Sequence, residues 1–126
     1  MSDLPSFELG HSRTELRSQL VDAVLRGEKT ATAGLLEDYK AAGEHPEPAG
    51  SRSTLVGYDD EPVAVVEVTE SRIVPAEEID EQFVREEGEG YESVEGWWTA
   101  HERFFGRPIE AKTEIVAIRF RVVERL

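Results

Sequence analysis

The chain has 126 residues, 39% of them apolar and 33% charged, and contains no cysteine. This composition suits one globular domain spanning 1–126 with a single core, and it excludes disulfides, thiolate metal sites and a cysteine nucleophile. Twenty-seven acids against fourteen bases leave a net charge of −13, which repels phosphate backbones over a Debye length of about 10 Å, so no DNA partner is expected.

Met1 to Arg13 carries neither a basic stretch nor an apolar run. The chain therefore reads as lacking a signal peptide, and no segment approaches the ~20 apolar residues that span a bilayer. A cytoplasmic protein away from membranes is expected. Ser12 and Glu15 have the spacing of a capping box. Leu16, Leu20, Val21, Val24 and Leu25 then recur at helical intervals, and Gly27 stops the helix. A short second helix is predicted from about Leu35 to Ala42. The Pro/Gly-rich stretch from Gly43 to Gly50 is a loop. Ser53–Tyr58 and Pro62–Val74 read as the two strands of a hairpin turning at Asp59-Asp60. Pro75 is expected to open a third helix bearing Ile79, Phe83 and Val84. Ser93 caps a fourth, which carries Val94, Trp97, Trp98, His101, Phe104 and Phe105 and ends at Gly106. From Thr113 to Val123 the pattern alternates, with Val116, Ile118, Phe120 and Val122 on one face and Arg119 and Arg121 on the other. Helices mixed with local or antiparallel strands predict an α+β domain, a small curved sheet or barrel flanked by helices.

Three segments could carry chemistry. The first is Gly27-Glu28-Lys29-Thr30-Ala31-Thr32. A desolvated lysine serves as a base or a fixed charge, and a nearby threonine hydroxyl as a nucleophile. Lys29 and Thr32 share a face only in a turn, and the plain alternative is a helix-ending lysine followed by strand threonines. The second runs from Glu77 to Glu92 and is dense in acids, with Arg85 its one base. It lacks EF-hand spacing, so no metal is expected. A glutamate buried beside aromatic rings would have a raised pKa and could act as an acid; Glu86, Glu87 and Glu89 are all candidates. The third is Trp97-Trp98-x-x-His101-x-x-Phe104-Phe105. It is either a packed helix face or a stacking surface for a base.

Taken together and in this order, the segments resemble the ASCH domain family. The resemblance rests on Leu20-Val21, Gly27-x-Lys29-Thr30-Ala31-Thr32, Pro48 and Gly50, Glu87-Gly88-Glu89-Gly90, Trp97, His101, Phe104-Phe105 and the strand around Phe120. It implies a PUA-like fold, a small β-barrel with flanking helices, and action on or around RNA. Some small bacterial members are amidohydrolases that remove the acetyl group from cytidine acetylated on its exocyclic amine, and others are ribonucleases. In the amidohydrolase branch a lysine, a threonine and a glutamate carry the chemistry; they match Lys29, Thr32 and, best by position, Glu87. The resemblance thus implies Thr32 attacking an amide carbonyl with help from Lys29, and Glu87 protonating the departing amine. Backbone donors near Gly34 or Gly88 would hold the oxyanion. Thr30, Tyr91, Trp97, Trp98 and His101 would contact the substrate. No cofactor is implied, and the partner is a nucleoside or RNA. The alternatives are an RNA-binding module, a ribonuclease, or an interaction domain with a vestigial pocket. Two positions depart from the family pattern: Tyr91 replaces a usual aspartate and Trp98 a usual arginine. A patch formed by Arg13, Arg17, Arg119 and Arg121 would favour RNA over a free nucleoside.

Overall fold

Two long antiparallel strands organise the protein, of which the computed structural model describes residues 4–126. They are β4 (Pro62–Pro75) and β5 (Glu114–Arg125). Around them the elements in chain order are β1 (Ser6–Phe7), α1 (Glu15–Leu25), β2 (Ala31–Leu35), α2 (Leu36–Ala41) and β3 (Arg52–Val56). After β4 come a 3-10 turn over Ala76–Glu78, α3 (Glu81–Glu86) and α4 (Val94–Phe105). The sheet order is β1-β3-β4-β5-β2, with β1 parallel to β3 and the other pairs antiparallel. The β4–β5 register shifts at Val65/Val66 and again at Val68/Glu70. Each bulge bends the strand and increases its twist, so the five strands curl into a half-barrel flanked by helices, the α+β arrangement expected.

Strand alternation divides the interior in two. Val116, Ile118 and Phe120 of β5 pack with Phe7, Leu55, Val66 and Val68, and with Leu20, Val21 and Val24 of α1. Phe7 meets Phe120 edge-to-face with ring centroids 5.0 Å apart. Ile115 and Ala117 point the other way and pack with Val74, Ile79, Phe83, Val84 and Trp97 under α3 and α4. On the same side Arg119 lies over the Phe83 ring at 5.4 Å. The edge strand β2 packs on this second half through Ala31, Ala33 and Leu35.

Two boundaries differ from the sequence expectation. The cap of α1 is Thr14, not Ser12: its hydroxyl accepts from the Arg17 N–H at 3.2 Å and donates to the His11 carbonyl at 2.6 Å. Arg13, at φ 60°, turns the chain just before it and displaces the cap. Pro75 ends β4 rather than opening a helix. The 3-10 turn follows, and α3 begins only after Asp80, whose carboxylate accepts from the Phe83 N–H at 2.9 Å.

Candidate functional site

Lys29 emerges where α1 ends. Gly27, at φ 80°, reverses the chain, and the N–H groups of Glu28 and Lys29 both return to the Ala23 carbonyl. This folds the Lys29 side chain inward to 2% exposure. Its ammonium donates to the carbonyls of Ala31 (2.8 Å) and Glu87 (3.2 Å) and to Glu89 Oε2 (2.9 Å). All three ammonium hydrogens are therefore engaged. Glu87 Oε2 lies 3.9 Å away.

The acidic partners arrive from the turn after α3. Gly88 has φ 65°, and a Cβ there would sit 2.2 Å from the Glu28 carbonyl oxygen. Only glycine permits this backbone contact, which seats the Glu87–Glu89 turn directly against Glu28-Lys29. Glu87 is 1% exposed. Its Oε1 accepts from Trp97 Nε1 at 2.8 Å, and its Oε2 faces His101 Nε2 at 3.4 Å. His101 Nδ1 lies 2.8 Å from the Trp97 carbonyl, one helical turn back, and its ring stacks on Trp97 at 4.3 Å. Glu89 is less enclosed. It accepts from Lys29 and, on Oε1, from the Tyr91 hydroxyl at 3.2 Å.

The two carboxyls are pushed apart. Burial alone would raise Glu87, but its hydrogen bond to His101 and the Lys29 charge hold it below the usual carboxylate range. Burial raises Glu89; Lys29 opposes the rise, but the shared hydrogen bond and negative charge of Glu87 support it. Burial also disfavours a charged His101, yet Glu87 outweighs it and raises the imidazole pKa. The expectation of a raised pKa at Glu87 is thus corrected: its surroundings lower it, and the raised carboxyl is Glu89, two residues on.

A cavity of about 580 Å³ opens on this cluster. Lys29, Thr32, Glu87, Tyr91 and His101 all line it, five of the eight residues expected at the site, and Glu89 joins them. Thr32 lies on β2 opposite Ile118. Its hydroxyl is not among the three acceptors of Lys29.

Thr30 points elsewhere; it is exposed, hydrogen-bonds the Glu86 carbonyl, and lines a smaller cleft with Arg121 and Arg125. Trp97 and Trp98 do not reach the cavity. Trp97 is fully buried with its N–H on Glu87, and Trp98 packs on the second core with its N–H on the Ile109 carbonyl at 2.9 Å. The aromatic walls are instead Phe7, Tyr39, Tyr91, Phe104 and Phe105. Sequence reading missed Tyr39, although its position on a predicted helix beside the lysine–threonine segment was a usable signal. The N–H of Phe120 donates to the Thr30 carbonyl, which by strand alternation puts Thr32 and Gly34 in the hydrogen-bonded pairs with β5. The Gly88 N–H goes to the Arg85 carbonyl. The Gly34 and Gly88 N–H groups are thus both taken; next to Gly34, alternation turns the Ala33 N–H, at the cavity wall, away from β5.

Glu87, Glu89 and His101 each offer a ligand atom within 4.8 Å of the others, a spacing that suits a metal. The positive charge at this place is supplied by Lys29, 2.9 Å from Glu89. The four arginines considered for an RNA-binding patch are each paired. Arg13 bridges to Asp59, Arg17 to Asp60 and Glu8, Arg119 to Glu70 and Glu86, and Arg121 to Glu67. Among the described residues no helix is long and apolar enough to cross a membrane.

The ASCH domain family matches residues 7–124. The chain belongs to the ASCH domain family. The solved structure of protein EF3133 from Enterococcus faecalis V583 superimposes with a TM-score of 0.87 at 26% identity, over 99% of this chain and 79% of that one. An ASCH domain from Lactobacillus crispatus JV V101 does so with a TM-score of 0.81 at 26% identity, over 96% and 80%. Hypothetical protein PH0355 shares the fold with a TM-score of 0.63 at 20% identity, over 94% and 99%. No curated protein matches the chain. The PUA-like architecture of this ASCH domain is thus established.

Proposed function

We propose that this ASCH domain binds a free nucleoside in its cavity and hydrolyses an amide on the base, as in an N-acylated cytidine. The observation that carries this reading is the buried Lys29–Glu87–Glu89–His101 cluster in the wall of a cavity that also holds Thr32. Its volume of about 580 Å³ lies within the range of small-molecule sites, about 300–1,000 Å³. In this mechanism Thr32 Oγ1 attacks the acyl carbon, and its proton passes to the Glu87–His101 pair. Lys29 stabilises the developing charge. Protonated Glu89 donates to the leaving amine, so the cluster's proton count is restored. Water then releases the acyl group from Thr32. Glu87, tied to Trp97 and His101, holds Lys29 in place. A net charge of −13 and the paired arginines favour a nucleoside over an RNA strand.

The test is chromatography of a panel of acylated cytidines and related nucleosides, for wild type, Lys29→Ala and Glu87→Ala. Release of the free amine by wild type and its loss in both folded variants is the expected result. No turnover of any substrate would overturn the hydrolase reading. RNA affinity falling steeply between two salt concentrations would instead establish a polymer-binding module.

A further inference from the structure

The cavity has a second polar end that the reaction does not use. Tyr39 stands on α2, and its ring lies against Gly34, where a Cβ would approach Tyr39 Cε1 to 3.2 Å. Gly34 and Thr32 share a face of β2, two residues or about 7 Å apart. The Tyr39 hydroxyl donates to Glu47 Oε1 at 2.9 Å, and both residues line the cavity. Glu47 sits between Pro46 and Pro48. Proline restricts both itself and the residue before it, so Glu47 is held in an extended conformation before any ligand arrives. The Glu44 N–H on the Tyr39 carbonyl and the Ser51 N–H on the Pro48 carbonyl tie the loop down on either side. A carboxylate only accepts hydrogen bonds, and the Tyr39 hydroxyl has already spent its proton. This end therefore offers acceptors alone and suits an uncharged group rich in donors.

We propose that Tyr39 and Glu47 form a subsite for the sugar hydroxyls of the nucleoside, set one step along β2 from the reacting amide at Thr32. The proposal rests on the nucleoside reading but not on hydrolysis. A vicinal diol donates two hydrogen bonds to one carboxylate. A phosphate would meet Glu8, Asp38 and Glu47 at the cavity wall, where Arg103 is the cation besides Lys29.

Calorimetric titration tests it with cytosine, cytidine and cytidine 5′-monophosphate against wild type, Glu47→Ala and Tyr39→Phe. Cytidine should bind wild type about tenfold or more tightly than cytosine, the effect of a hydrogen bond to a charged group. Glu47→Ala should erase that advantage while cytosine affinity moves less than twofold, and Tyr39→Phe should erase part of it. Equal losses for cytosine and cytidine would make Glu47 a mere wall and overturn the proposal. The monophosphate binding more tightly than cytidine, with the gain lost in Arg103→Ala, would overturn it in favour of a phosphate site. Cytidine binding with the expected pattern but without turnover of acylated cytidine would sink only the hydrolase reading. No binding of any of the three would overturn both.

Discussion

Among the described residues an arginine and a lysine are buried, and they do different work. Arg17 is fully enclosed. It donates to the carbonyls of Leu9 (2.6 Å), Gly10 (3.1 Å) and Gly57 (3.1 Å), and to Asp60 and Glu8, whose side chains face solvent. Its planar fork joins the segment after β1 to the turn between β3 and β4, and that segment forms one wall of the cavity. Lys29 is also buried, but two of its neighbours are carboxyls at the cavity wall whose pKa values are pushed in opposite directions. Backbone carbonyls cannot change state, whereas paired carboxyls at a cavity wall can. Burial of a charge therefore says little about function; the identity and accessibility of its partners say more.

Replacing each cation by methionine should separate the two roles, and this is the largest effect expected. Lys29→Met leaves Glu87 and Glu89 adjacent without their counter-charge. It should cost about 3–5 kcal/mol in urea unfolding and about 10²–10³-fold in turnover of the acylated nucleoside. Arg17→Met strands three carbonyls and should cost about 3 kcal/mol, with KM rising through the loosened wall and kcat holding. A comparable kcat loss in both variants would erase the distinction.

The sequence exposed the long-period features and hid the long-range ones. Periodicity marks α1, α4 and β5, and the Gly106 stop appears as a left-handed cap at φ 72°. The lysine–threonine and Glu-Gly-Glu-Gly segments were visible as chemistry. Their union was not, because the contact that seats Gly88 against Glu28 joins positions sixty residues apart (88 − 28) and leaves no local pattern. For the same reason the sequence leaves the tryptophans open between a packed helix face and a stacking surface. Trp97 looks like a stacking surface until Glu87 is known to take its N–H, and Trp98 until Ile109 does. Strand β1 is two residues long and pairs in parallel, so it has no alternation to read.

The opposed carboxyls give a smaller effect. With Glu89 as the proton donor, turnover should fall as pH rises through its pKa, which lies above the ordinary 4.5. Glu89→Gln should remove that limb of the profile and lower kcat about 10²-fold. Glu87→Gln preserves an acceptor for Trp97 and should leave the limb in place. A limb that vanishes with Glu87→Gln but survives Glu89→Gln would reverse the two roles.

The smallest effect is on stability and belongs to the Lys29 side alone. The His101 pKa is raised above its ordinary 6.5, with Glu87 overcoming the cost of burial. Its contribution is therefore complete below pH 6.5 and lost as pH rises through the folded value. Glu89, also raised, shares that sign from 4.5 upward, whereas the stabilisation from lowered Glu87 is present above 4.5 and lost on acidification. The urea midpoint should accordingly drop as pH rises above 6.5 through the folded His101 value. Glu87→Gln should flatten that drop, because the charge that holds the His101 proton is gone. Arg17→Met should lower the midpoint at every pH and keep the slope, since the partners of Arg17 are carbonyls and solvent-facing acids. A flattened slope in Arg17→Met would mean that the two buried cations are coupled through the cavity wall between them.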